Sequence, residues 1–226
     1  MTTLVLIAKE TIPGKVKTRL TPALTPEQAA ELAAACIGDT LAATATLPAT
    51  RRILAFDGDR IPAGADGFEV LHQVGGTLDQ RLGAIFDEVE GPIVLIGMDT
   101  PQLDHADLAA AFGPWPEGVD AWFGPASDGG FWALGMNALT VDQLRAGTTR
   151  GDLIRGVPMS EDNTGRLQLE RLVNAGLNVS MLPELTDVDT IADAYEVAEI
   201  APHGSFAATL AAFRQLAAAG ATPRPR

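Results

Sequence analysis

Ile7 to Leu20 reads Ile-Ala-Lys-Glu-Thr-Ile-Pro-Gly-Lys-Val-Lys-Thr-Arg-Leu, and every lysine of the chain, Lys9, Lys15 and Lys17, lies within it. The stretch begins inside a short apolar run, Thr3 to Ala8, of the kind that forms a strand covered on both faces. In a parallel sheet such a strand delivers its following loop to the edge where open α/β folds bind ligands. Pro13-Gly14 marks a turn, and a glycine there lets backbone N–H groups come close to a ligand. The chain carries a formal net charge of −13, so three ammonium groups and Arg19 in one loop make a local anion site against the overall field. A phosphate is the expected anion; a solvated basic loop is the alternative that this stretch leaves open. Neither G-x-x-x-x-G-K-S/T nor G-x-G-x-x-G is present.

At 226 residues the chain suits one α/β domain, expected over residues 1–200, with a helical extension over 201–219 and a disordered tail over 220–226. Apolar residues at 46% and charged residues at 20% describe a soluble globular protein. No window approaches the roughly 18 apolar residues of a membrane span, and Met1-Thr2-Thr3 runs directly into the first strand, which suggests a cytoplasmic protein without membrane contact. Cys36 is the only cysteine, and His72, His105 and His203 are widely separated, which excludes a disulfide framework and a zinc set of the usual spacing. Any metal should be a hard cation held by oxygen. The acidic balance argues against wrapping nucleic acid, which needs a basic face.

Along the chain, Thr25-Pro26-Glu27-Gln28 combines a capping threonine, proline at the first helical position and a box-closing glutamine, so a helix is expected to about Ala45. Cys36 falls on its apolar face as a small core residue. Strands are expected at Arg52–Phe56 and Phe68–His72, and a helix with Leu78, Leu82, Ile85, Phe86 and Val89 on one face. Pro92–Gly97 is the clearest strand, ending at Met98-Asp99-Thr100-Pro101. A short helix over 104–112 and strands at Ala121–Pro125 and Phe131–Met136 follow, joined by Ser127-Asp128-Gly129-Gly130 as a hairpin or sharp crossover. Thr148–Gly165 has the profile of a mobile flap. A helix at Leu167–Ala175, a strand at Asn178–Leu182, a helix capped by Thr190 and an alanine-rich helix from Ser205 complete the order. This alternation predicts a Rossmann-like α/β/α sandwich on a mostly parallel sheet. The last helix would serve a homodimer contact as easily as a contact with its own domain.

Asp99 follows the carboxyl end of the strongest strand, where a carboxylate facing the basic loop suits a Mg²⁺ that bridges phosphate oxygens. Asp189 ends another strand-to-helix connection and offers a second carboxylate. Read singly, Asp99 before Thr-Pro also fits a helix-starting turn, and Asp187-Val188-Asp189 a capping cluster. Asp57-Gly58-Asp59 spells D-x-D but reads as a turn.

Four blocks in order resemble a known family: Ala8-Lys9 with Pro13 to Leu20, Gly97-Met98-Asp99-Thr100-Pro101-Gln102-Leu103, Gly124 to Phe131, and Asp187-Val188-Asp189-Thr190. It comprises the bacterial nucleotide-diphospho-sugar transferase-like proteins of glycosyltransferase-A fold, some filed as arsenosugar biosynthesis glycosyltransferases. A more distant likeness runs to phospholactate guanylyltransferase and to the nucleotidyltransferases of molybdenum-cofactor synthesis. The resemblance covers about Leu4 to Glu196.

The resemblance implies a three-layer glycosyltransferase-A sandwich with a mixed, mostly parallel sheet. It implies that Ala8, Lys9, Gly14, Lys15, Lys17 and Arg19 hold the nucleotide phosphates together with Asp99, and that Asp99 and Asp189 bind Mg²⁺ or Mn²⁺. Asp128 would lie near the acceptor or sugar, with Lys17 assisting catalysis, although Asp-Gly is equally ordinary hairpin chemistry. Two departures, Leu78-Asp79-Gln80-Arg81 and Met159-Ser160-Glu161, fall on the expected acceptor side. The implied activity is sugar transfer from a nucleotide-diphospho-sugar to a small-molecule acceptor. Nucleotidyl transfer from a nucleoside triphosphate to a phosphorylated small molecule is the alternative, and a non-catalytic nucleotide-binding protein a third reading.

Overall fold

The computed structural model describes residues 2–139 and 147–220. Seven strands form one sheet: β1 (Thr3–Lys9), β2 (Arg51–Asp57), β3 (Glu69–His72), β4 (Ile93–Ile96), β5 (Ala121–Pro125), β6 (Phe131–Met136) and β7 (Val179–Met181), in the order β3-β2-β1-β4-β6-β5-β7. Neighbours pair in parallel except at β4/β6 and β5/β6. The stretch between β5 and β6 is therefore a hairpin, and the sheet is the mixed, mostly parallel one expected.

Alternation along the strands divides the core into two faces. On one, Leu4, Leu6, Leu54, Phe56, Val94 and Ile96 pack under α1 (Pro26–Thr44) and α3 (His105–Phe112). On the other, Val5, Ile53, Ala55, Ile93 and Leu95 pack under α2 (Leu78–Glu88) and α4 (Thr164–Asn174). Burial on both sides is why β1, β2 and β4 read as continuous apolar runs. The helices start where their caps dictate: Thr25 and Gln28 close a capping box on α1, and Thr190 and Asp193 one on α5 (Ile191–Ile200).

Helix α6 (Ser205–Gly220) lays Phe206, Leu210 and Phe213 against Leu32 and Cys36 of α1 and Val197 of α5. These three residues thus serve the chain's own core, while Leu216 further along the helix is exposed. The end of the tail expected to be disordered, 221–226, lies outside the described residues.

Two segments differ from the sequence reading. Helix α4 begins at Thr164, a turn earlier than expected, and its early glycine is a fit requirement: a Cβ on Gly165 would lie 2.3 Å from the Gly130 carbonyl oxygen. The segment read as a mobile flap is fastened to the core. Leu153, Ile154 and Val157 are buried; Asp87 accepts from the Gly151 N–H at 2.7 Å and from Arg155 at 2.6 Å, and Asp79 accepts from the Gly156 N–H at 2.7 Å.

Candidate active site

The carboxyl ends of β1 and β4 open into a cavity of about 630 Å³. Lys9 closes β1 there, and its backbone N–H meets the Met98 sulfur at 3.4 Å. The loop then turns through Gly14 at φ 77°, is pinned by buried Val16 and Leu20, and passes Lys17 in the left-handed region at φ 49°. That backbone turn sends the Lys17 side chain inward, where it is only 5% exposed. Its ammonium lies 2.7 Å from Asp99 Oδ1 and 3.3 Å from Asp189 Oδ1, and donates to the Val188 carbonyl. Burial opposes the Lys17 charge, but Asp99 and Asp189 outweigh it and hold the ammonium protonated well above the ordinary lysine range.

Arg19 reaches the other oxygen of Asp189 at 3.0 Å. The segment carrying Asp189 is docked beside Asp99, because the Val188 N–H donates to the Asp99 carbonyl at 2.9 Å and Gln102 to the Thr186 carbonyl at 2.8 Å. Asp193 finishes the support by accepting from the N–H groups of Asp189 and Thr190 at 3.1 and 2.6 Å.

Asp128 occupies the β5–β6 turn, where Oδ1 accepts from the Gly130 N–H at 2.8 Å. The turn is locked to the start of α4: the Gly165 N–H donates to the Gly129 carbonyl at 2.8 Å, and a Cβ on Gly129 would stand 1.9 Å from the Asp162 carbonyl oxygen. Asp128, Glu161 and Asp162 therefore share one wall of the cavity. Leu78, Arg81, Met159, Ser160 and Glu161, from the two segments that depart from the family pattern, all line it. Arg81 is engaged by Gln73 Oε1 at 3.1 Å and Asp57 Oδ2 at 3.3 Å.

Of the residues singled out in the sequence, Ala8, Lys9, Arg19, Asp99, Asp128 and Asp189 line this cavity, and Lys17 lines the smaller recess adjoining it. Gly14 and Lys15 line neither. Asp57-Gly58-Asp59 is the turn expected, closed by Glu10, which accepts from the Asp59 N–H at 3.0 Å. The sequence reading took Asp187 only as part of a capping cluster and a family block; the structure places it on the cavity wall with Asp189, on either side of the fully buried Val188. Burial, together with Asp99, Asp128 and Asp189, pushes the Asp187 carboxyl up to about 7. Gln73 was missed, with no local signal. Its amide ties the ends of β1 and β2 together through the Ala8 and Ala55 carbonyls at 2.9 and 2.8 Å.

Among the described residues, no three His, Cys, Asp or Glu side chains gather as a closed metal cluster. Asp99 Oδ1, and Asp189 across the same Lys17 ammonium, nevertheless form a hard-oxygen pair. Such a pair fits Mg²⁺ or Mn²⁺ that takes its other ligands from phosphate and water.

The chain is 25% identical to a Desulfovibrio desulfuricans protein provisionally designated a nucleotide-diphospho-sugar transferase, with a TM-score of 0.77 over 96% of this chain and 95% of that one. Two likenesses at lower identity show the same fold. One is the Rv0371c protein of Mycobacterium tuberculosis in complex with manganese, at 22% identity and a TM-score of 0.52 over 88% of this chain and 97% of that one. The other is the 2-C-methyl-D-erythritol 4-phosphate cytidylyltransferase of Thermus thermophilus, at 16% and 0.53 over 89% and 100%. No curated protein matches the chain in sequence. No helix among the described residues is long and apolar enough to cross a membrane. The profile of the uncharacterized proteins conserved in bacteria grouped as DUF2064 matches residues 40–161, and the chain belongs to that family.

Proposed function

We propose that this protein is a divalent-metal-dependent transferase that moves a sugar from a nucleotide-diphospho-sugar to a small-molecule acceptor. The observation that carries the reading is the meeting of Asp99, Asp189, Lys9 and Arg19 in one cavity at the carboxyl ends of the central parallel strands. The whole-length likeness to the Desulfovibrio desulfuricans protein supports it.

Charge explains the need for metal. The cavity wall carries six acids, Asp99, Asp128, Glu161, Asp162, Asp187 and Asp189, against Lys9, Arg19 and Arg81 on the same wall and the Lys17 ammonium between Asp99 and Asp189, so acids still outnumber cations. A diphosphate enters such a wall only with a cation of its own. Asp99 and Asp189 would hold that ion, which supplies charge neutralisation for the departing diphosphate. Lys9 and Arg19 bind and orient the same phosphates. In the transfer, the acceptor hydroxyl oxygen forms a bond to the anomeric carbon as the bond from that carbon to the diphosphate oxygen breaks. The nucleoside diphosphate leaves with the electron pair, and the hydroxyl proton passes to the Asp128 carboxylate and on to water.

Nucleotidyl transfer is the second reading, favoured by the basic loop and by a fold shared with a cytidylyltransferase. Its acceptor would carry a phosphate. Asp128, Glu161 and Asp162 have no salt bridge among the described residues, and that wall repels a phosphorylated acceptor while admitting a neutral or cationic one. The products decide between the two. Protein incubated with Mn²⁺ and pools of nucleotide-sugars, nucleoside triphosphates and cell-extracted small molecules should release nucleoside diphosphate. Pyrophosphate release from a triphosphate, with no turnover of any nucleotide-sugar, overturns the reading.

A further inference from the structure

Lys17 sits where the proposed function places a metal, and it does so by construction. Its backbone adopts φ 49° and ψ 40°, a left-handed conformation that strains a residue with a Cβ. Val16 and Leu20, 2% and 1% exposed, hold the loop on either side. The side chain crosses to an element more than 170 positions away and contacts both candidate metal-binding acids and the Val188 carbonyl. Arg19 then holds the outer oxygen of Asp189. Asp39 and Asp187 are the further acids whose charge reaches this buried region around Cys36, while Lys9 lines the same recess from its open side.

We infer that Lys17 is a built-in counter-ion that a divalent metal displaces from Asp99 and Asp189, and that the released ammonium then serves as a ligand of the diphosphate arriving with the metal. The inference rests on the proposed metal site and adds its regulation: the carboxylates are neutralised in the resting protein, and metal and diphosphate bind as a coupled pair. An ammonium and a divalent ion cannot share two carboxylate oxygens at contact distance, so one leaves when the other enters. The flexible lysine stem allows that move, whereas a guanidinium locked in a fork would not make it as readily.

The test is a comparison of signs. Mn²⁺ binding to the metal-stripped protein is followed by the electron paramagnetic resonance of free Mn²⁺, with inorganic pyrophosphate as the diphosphate probe. Lys17→Met should bind Mn²⁺ alone more tightly than the natural chain, by roughly tenfold, since a competing charge at contact distance is gone. The same variant should bind pyrophosphate in the presence of saturating Mn²⁺ more weakly, by a similar factor. Lys17→Gln, which keeps a donor for the Val188 carbonyl, should show the same two signs and serves if Lys17→Met does not fold. Weakening of both affinities indicates a merely structural lysine, and unchanged Mn²⁺ affinity a plain phosphate ligand; either overturns the inference. Asp99→Asn separates this from the function itself. If it binds Mn²⁺ as the natural chain does, the proposed metal site fails; if it loses Mn²⁺ while Lys17→Met gains nothing, only the counter-ion role fails.

Discussion

Gly129→Ala should be far more damaging than a surface glycine substitution. Gly129 adopts φ 88°, where an alanine is strained by about 1–2 kcal/mol. The added Cβ would also stand 1.9 Å from the Asp162 carbonyl oxygen and 2.6 Å from its carbonyl carbon, atoms of backbone that cannot rotate aside. Relief requires the β5–β6 turn to lift from the start of α4, breaking the Gly165-to-Gly129 hydrogen bond, and overpacking of this kind costs about 1–3 kcal/mol. The expected loss is about 3 kcal/mol, which for a chain of this size lowers the melting temperature by about 6–12 °C. Gly14→Ala is the matched control, because Gly14 has φ 77° but nothing within 4 Å of its would-be Cβ, so only the strain remains. It should cost about 1 kcal/mol, or about 2–4 °C. Thermal melting by circular dichroism, checked by urea titration, measures both. Equal losses for the two variants would refute the claim that the hairpin turn and α4 interlock, and with it the placing of Asp128 against Glu161 and Asp162.

Asp193→Ala removes the acceptor for the Asp189 and Thr190 N–H groups and should cost about 1 kcal/mol in a melt, with weaker Mn²⁺ binding because Asp189 loses its support; a stability loss with unchanged Mn²⁺ affinity would detach the cap from the site. Asp79 is held below the usual carboxylate range by the Thr77 hydroxyl and then the Gly156 N–H. A depressed folded pKa contributes stability above the ordinary value and loses it as pH falls through the folded one, so Asp79→Asn should be less stable than the natural chain at neutral pH and converge with it in acid. A gap independent of pH would contradict this. Cys36 is 1% exposed and burial raises its thiol well above the ordinary range, so alkylation should proceed only at the rate of unfolding; rapid labelling of the native protein would mean that α6 does not cover α1.

Much of the architecture was legible because burial on both faces leaves a plain mark. β1 and β4 announce themselves as unbroken apolar runs, and Thr25 and Thr190 carry their capping boxes within four residues. Strand order was not legible, since the insertion of β6 between β4 and β5 is decided by long-range pairing. The anchoring of the segment read as a flap was not legible for a related reason: its polar, glycine-rich residues bond to Asp79 and Asp87 of α2, which no local period reveals. At the candidate site, loop positions after strands pointed to Asp99, Asp189, Lys9 and Arg19, and the structure brings them to one cavity. The direction of the Lys17 side chain depends on a left-handed backbone and on acids distant in the chain, so its pairing with the two carboxylates was not legible in the sequence. Gln73 escaped notice because its role, bridging two strand ends, exists only in the assembled sheet.

The central claim is that one cavity takes a nucleotide-diphospho-sugar together with a metal held by Asp99 and Asp189. Thermal-shift titration with uridine, guanosine, cytidine and adenosine diphospho-sugars, each with and without Mn²⁺, tests it most directly, because a ligand bound only by the folded state raises the melting temperature by mass action. At least one nucleotide-sugar should stabilise the natural chain in the presence of Mn²⁺ and not in its absence, and the shift should vanish in Asp99→Ala. A shift that is indifferent to metal, or that survives in Asp99→Ala, or the absence of any shift with every nucleotide-sugar, would contradict the account.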